Sequence, residues 1–352
     1  MSLRSPSLLL ALCVVVIPLI IAAPATAQST DGRWVMPRTA DGHPDLQGSW
    51  TNETLTPMSR PDGQDQALAL DVAAQGEKRR ADIAAFLARP SDPDREAPPV
   101  GGDGSTVGGS GGVGGYNYFY IDSGDNYAVF NGEIRSSLII DPPNGQRPPL
   151  TEEGQRRTEA RREFRSQFEE YDNPENRPLG ERCMMSFGSN AGPPMLPNYF
   201  YNNNYTIVQT ADHVMIMTEM VHDVRIIKLG TPDPLPENVR PWMGDSWGHW
   251  QGDTLVVETT NINLQQTLAG YPPVAFAPSE AAKVTERFTR ADENTINYEF
   301  TVEDPTMLSG SFSGEVPFKT LDGLVYEYSC HEGNYALQGI LSGARALERG
   351  NN

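Results

Sequence analysis

Cysteine and histidine are scarce in this chain, with three and five among 352 residues. That scarcity excludes a disulfide-rich scaffold and leaves little material for a zinc centre. Neither H-E-x-x-H nor C-x-x-C occurs, and Asp103, Asp122 and Asp125 lack the spacing of an EF-hand loop. No metal and no other cofactor is therefore expected. Basic residues are also few, 27 Lys+Arg against 46 Asp+Glu, for a formal charge of −19. A field of that sign opposes phosphates, so nucleic acid and anionic membrane surfaces are disfavoured and a small-molecule partner is expected. Beyond residue 27 no apolar run is long enough to span a bilayer, so the mature chain is expected to carry no membrane span. The oligomeric state is left open.

Glycine and proline are instead abundant, at 33 and 29 residues, which points to turns and loops rather than a helical bundle. Arg4 precedes an apolar run over residues 8–23 that ends in Pro24 and Ala25-Thr26-Ala27. This is the order of a secretory signal at 1–27, with cleavage expected after Ala27 and a periplasmic or secreted location. Its removal takes Cys13 and leaves Cys183 and Cys330. In an oxidising compartment these two are candidates for one disulfide, the alternative being two buried thiols.

Residues 28–100 read as a mixed region with a helix over 73–87, and residues 101–115 as a glycine-rich flexible tract. From 116 to 345 short strands dominate, with an inserted helix over 152–171, and 346–352 reads as a polar tail. The helix carries only Ala160, Phe164, Phe168 and Tyr171 as an apolar stripe, so it is expected to dock narrowly, its Arg and Glu run forming a solvated face. Strand pairs are expected around turns at Ala211-Asp212, Gln251-Gly252-Asp253 and Asp292-Glu293-Asn294, with a last strand at 324–329. In 295–302 the alternation is clean, Ile296, Tyr298, Phe300 and Val302 sharing one face. The fold class is accordingly mainly β: an antiparallel meander closing into a lipocalin-like or related barrel with an interior or mouth pocket and two peripheral helices, or else a sandwich.

Three segments could carry chemistry. If 219–226 is one alternating strand, His222 lies with Met220, Val224 and Ile226 on an apolar face, and Asp223 and Arg225 lie opposite. A histidine so placed can act as a general base. Trp242, Trp247 and Trp250 fall within nine residues, with Asp245 and His249 between them, as a core plug or a ligand-site wall. In 326–335, strand parity puts Glu327 and His331 on one face and Tyr326, Tyr328 and Cys330 on the other, with Glu332 following.

The segments 135–145, Glu181-Arg182-Cys183, 252–261, 284–290 and 326–335, with Ile340-Leu341-Ser342-Gly343-Ala344-Arg345, resemble a family of uncharacterised exported bacterial proteins. The block Cys330-His331-Glu332-Gly333-Asn334-Tyr335 is its most specific feature. The resemblance implies secretion and pairing of the two cysteine-bearing blocks, and brings no activity with it. The leading expectation is metal-independent acid/base chemistry, by a lyase, isomerase or hydrolase, on a small apolar or sugar-like molecule. His222 and His331 would transfer protons, Asp223, Glu327 or Glu332 would orient them, and Arg225 would contact an anion. The alternatives are a non-catalytic lipocalin-like carrier and a structural envelope protein.

Overall fold

The computed structural model describes residues 34–87, 94, 122–186, 192–198, 201–270 and 274–350. The expected leader at 1–27, the glycine tract at 101–115 and a strand expected at 116–121 lie outside the described residues. In chain order the elements are β1 (Gly48–Thr51), α1 (Leu70–Leu87), the small pair β2 (Val129–Phe130) and β3 (Glu133–Ile134), and β4 (Ile139–Asp141). There follow α2 (Glu152–Arg165), β5 (Asn204–Gln209), β6 (His213–Thr218), β7 (Val224–Leu229), β8 (Asp245–Gln251) and β9 (Thr254–Thr260). The last are β10 (Lys283–Asp292), β11 (Thr295–Glu303), β12 (Phe312–Thr320) and α3 (Ala336–Gly350).

The short turns expected from the sequence join β5 to β6, β8 to β9 and β10 to β11 as antiparallel hairpins. β5 to β12 run in sheet order, and β1 pairs with both β5 and β12, closing a nine-stranded barrel. A ring of nine strands cannot be antiparallel throughout, because an odd number of reversals returns the last strand facing the wrong way. One neighbouring pair must be parallel, and here it is β7 with β8. Their connection carries Pro232, Pro234, Pro236 and Pro241, which suits a crossover that never joins the ladder. β4 adds a short tenth strand against β12.

Alternation in β11 is as expected: Ile296, Tyr298, Phe300 and Val302 are buried. Their rings meet partners from other strands, Phe288 at 5.0 Å and Phe318 at 5.3 Å from Tyr298, and Tyr205 at 5.2 Å from Phe318. These contacts span the barrel, and the buried Met195 and Leu196 pack into the same core. The lumen is therefore filled by side chains, as small barrels generally are.

Other expectations are corrected. β7 begins at Val224 after a 3-10 turn over Met220–His222, so 219–226 is not one strand. Val224 and Ile226 face outward and Arg225 and Ile227 inward. Residues 324–329 pair with no strand and are irregular, largely exposed chain. α2 stops at Arg165, short of 171, and Ala336–Gly350 is helical, a third helix where a tail was expected from 346.

Candidate functional site

α2 is fastened at its N-terminal end. Thr151 caps it by accepting from the Gly154 amide at 2.9 Å, and its own hydroxyl donates to the Thr306 carbonyl. Gly154 is the one buried residue of the helix, and a Cβ there would sit 2.4 Å from the Met307 carbonyl oxygen, so only glycine allows this approach. Arg157 then ties the helix to Glu280 at 2.8 Å. Beyond this point the helix touches the barrel through Arg161, which donates to the Leu264 carbonyl, and not through its aromatic stripe. Phe164, Phe168 and Tyr171 of the expected docking stripe remain 61 %, 40 % and 41 % exposed.

Ala160, Phe164 and Phe168 of that stripe instead line a groove of about 1550 Å³ between α2, the 173–186 loop and the 264–280 region of the barrel, while Tyr171 lies under the Arg177 guanidinium, 4.9 Å away. Phe276, buried, forms part of its wall, with the Arg147 guanidinium 5.9 Å from its ring. Six arginines reach the groove: Arg147, Arg157, Arg161, Arg165, Arg177 and Arg182. Two are neutralised, Arg157 by Glu153 and Glu280, and Arg177 by Glu170 and by a two-point contact with Glu181. Among the described residues Arg161 donates only to the Leu264 carbonyl, at 2.6 Å, and burial together with Arg165 pulls its guanidinium below the ordinary value. Burial does the same at Arg147. Of these groove residues the sequence singled out the helix stripe and, within the segment Glu181-Arg182-Cys183, Arg182, while the arginines of α2 were expected only as part of a solvated face. A signal was present: Arg161 precedes Phe164 by three residues, placing cation beside ring on one face of α2, and Arg165 precedes Phe168 by the same spacing across the end of the helix.

The histidine candidates do come together. His222 and His331 have ring centroids 6.1 Å apart, both exposed. His222 Nδ1 lies 3.1 Å from the Tyr328 carbonyl, which can only accept, so Nδ1 carries the proton and Nε2 is left as the basic nitrogen of the neutral ring. The Cys183–Cys330 disulfide beneath them, with Cα atoms 5.8 Å apart, packs on Met220, Val221, Tyr201 and Tyr328. Cys183, Val221 and His222 all take left-handed backbone, at φ 53°, 60° and 49°. For a β-branched valine this conformation is strained, and the surrounding contacts hold it in place. Asp223 accepts from the Ser186 amide at 2.6 Å, and burial raises its carboxyl to about 6 despite that bond.

The remaining candidates are dispersed. Arg225 is no anion contact: it points into the barrel, 3 % exposed, against Glu286, which is 0 % exposed. Nη2 donates to Oε1 at 2.9 Å and Nη1 lies 2.8 Å from Oε2, off the hydrogen-bond direction. Tyr298 donates to the same carboxylate at 2.8 Å and accepts from the Met195 amide. Glu327 and Glu332 are exposed and border a separate hollow of about 610 Å³, neither within ion-pair reach of a histidine. In β8 parity separates the tryptophans. Trp247 faces outward under Lys228, 4.3 Å from its ring, while Trp250 packs on the core and stacks on His43 at 4.8 Å. Asp245 is taken up by Lys228 at 2.7 Å, the Leu235 amide and Trp247 Nε1; burial works against its charge, but these bonds hold it below the ordinary range. His249 is exposed and Trp242 half-buried on the preceding loop, so the segment builds no common wall.

Among the described residues no group of three or more His, Cys, Asp or Glu is arranged to hold a metal ion, and no helix is long and apolar enough to cross a membrane. Comparison with known proteins returned no matching family model, no similar curated protein and no similar solved structure.

Proposed function

We propose that this is an exported small-molecule-binding protein whose site is the groove between α2 and the barrel. The observation that carries the reading is the pair Phe164 and Phe168, in the last turn of α2 and just beyond it, which faces a cavity where a merely structural segment would bury it. The volume, about 1550 Å³, is ample for a drug-sized or larger organic ligand. Export is supported by the leader-like run at 8–23 and by a disulfide of the kind that persists in oxidising compartments.

The test is native mass spectrometry of protein recovered from its own host, with an Ala160→Trp variant whose indole would fill the groove from the exposed face of α2. Wild type should carry an organic adduct that Ala160→Trp lacks. Absence of an adduct from wild type, or equal retention by both, overturns the proposal.

A second reading, acid/base catalysis at His222 and His331, is favoured by the strained backbone beneath the pair and by the raised Asp223. It requires that a substrate found for the groove be turned over, and that His222→Asn and His331→Asn each abolish turnover without loss of binding.

A further inference from the structure

We infer that the ligand of the α2 groove is an amphipathic carboxylate, its head held by Arg161 and Arg182 and its apolar body laid against Phe164, Phe168 and Phe276. The inference rests on the groove being the ligand site and assigns the chemistry of what enters it. Five of the six arginines of the groove fall into two kinds, Arg147 being engaged with the Pro148 carbonyl and the Phe276 ring. Arg157 and Arg177 are fully matched by glutamates, Arg157 tying α2 to Glu280 and Arg177 pinning the 170–181 loop on itself. Arg161, Arg165 and Arg182 have no carboxylate within ion-pair distance among the described residues. Arg161 and Arg182 are both half-buried.

A guanidinium offers five donors, and Arg161 uses one of them on Leu264. Holding such a group partly out of water without a counterion is unfavourable, and a bound anion would remove that penalty. In a chain of charge −19 this is an uncommon surface, since carboxylates are plentiful elsewhere and would have been the simplest neutralisers. The two groove carboxylates that do lack an arginine partner, Glu169 and Glu175, are exposed to solvent.

The planar fork of arginine matches a carboxylate in two-point contact. The rings supply the other half of the recognition. Phe164 and Phe168 meet edge to face at 5.3 Å, leaving ring surface open to the groove, and Phe276 lies across from them in the wall. A hydrophilic anion such as inorganic phosphate would leave those rings wet. A neutral apolar molecule would leave the arginines uncompensated. A molecule with an acidic head and an extended aliphatic or polycyclic body satisfies both.

Decanoate and 1-decanol, which share a body and differ in the head, separate these cases by isothermal titration against the full mature protein. Decanoate should bind at least about tenfold more tightly than decanol, and its affinity should fall with rising salt. Arg161→Gln and Arg182→Gln should each erase most of that preference while leaving decanol binding unchanged. Arg162→Gln, at an exposed arginine paired to Glu159 outside the groove, should do nothing. Circular dichroism melts of each variant establish that the fold persists; because Arg161 also bonds Leu264, Arg182→Gln decides should Arg161→Gln melt early. Equal binding of decanoate and decanol, both blocked by Ala160→Trp, overturns the carboxylate assignment and leaves the groove as the site. Binding of decanoate that ignores Ala160→Trp overturns the assignment to this groove. Failure of both probes to bind overturns the carboxylate assignment, and the adduct measurement then decides separately whether the groove is a site at all.

Discussion

Removing one charge from the centre of the barrel should be far more costly than removing two. Arg225 and Glu286 are 3 % and 0 % exposed, and Tyr298 adds a hydroxyl to the same carboxylate. A Glu286→Leu variant leaves a guanidinium among rings and aliphatic side chains with no counterion, a situation that costs about 3–5 kcal/mol. The Tyr298 hydroxyl loses its acceptor at the same time, for about 1 kcal/mol more. Against a total stability of about 5–15 kcal/mol for a typical domain, that change removes about a quarter or more. The double variant Arg225→Met, Glu286→Leu discards both desolvation penalties and refills the space with apolar atoms. Such replacements are often neutral, so the double variant should lie within about 2 kcal/mol of wild type. Urea unfolding followed by tryptophan fluorescence, with the disulfide intact, supplies the three comparisons of a double-mutant cycle. A Glu286→Leu cost under about 1 kcal/mol, or a double variant whose loss equals the sum of the two single losses, refutes this expectation. Either result would mean that the pair is not acting as a desolvated unit inside a dry barrel.

Three further outcomes are expected. Gly154→Ala, which drives a methyl onto the Met307 carbonyl, should lower stability by about 1–3 kcal/mol in urea unfolding and, by lifting the start of α2, should also weaken any groove ligand. Burial, then Asp122, raise the Glu53 carboxyl to about 8, and burial raises Asp223 to about 6. Both acids are held above their ordinary values, so the folded state binds the extra protons. Stability should therefore fall as pH climbs, from about 4 to 6 on account of Asp223 and from about 4.5 to 8 on account of Glu53. Glu53→Gln should flatten the upper part of that slope in melting temperature against pH; an unchanged slope would remove Glu53 as its cause. Cys330→Ser should free the segment after β12, whose helix α3 has no buried residue, so proteolysis within 321–350 should accelerate while tryptophan fluorescence keeps its native value.

Where local pattern and global packing agree, the fold was legible from residues alone. The hairpins β5–β6, β8–β9 and β10–β11 each follow from a polar turn between alternating runs, and β11 obeys its period of two without exception over 296–302. β7 was not legible, because Val-Arg-Ile-Ile-Lys-Leu carries apolar residues on both faces and only a buried Glu286 explains why Arg225 turns inward. Residues 324–329 have strand-like composition but join no ladder, and β1 already pairs with the end of β12 that precedes them. α3 was hidden for the opposite reason: Gly339 and Gly343 weaken a helical reading, although Leu337, Ile340, Leu341 and Ala344 are spaced for one face. At the candidate site, the stripe of α2 was visible, but that it borders a cavity depends on Gly154 fixing the angle at which the helix leaves the barrel.

The short strand β1 governs how the chain must assemble. It pairs Trp50 with Tyr205 on one side and with Thr320 on the other, so the first strand made is the one that joins the two ends of the sheet. Until β12 exists, β5 to β12 amount to an unfinished ribbon, and closure waits on contacts between the most distant parts of the sequence. Loss of those four residues would leave the ribbon with two raw edges, β5 and β12, each complementary to the other on a neighbouring molecule. Head-to-tail polymers built by edge pairing, rather than simple unfolding, are then the expected fate of a chain trimmed before residue 52.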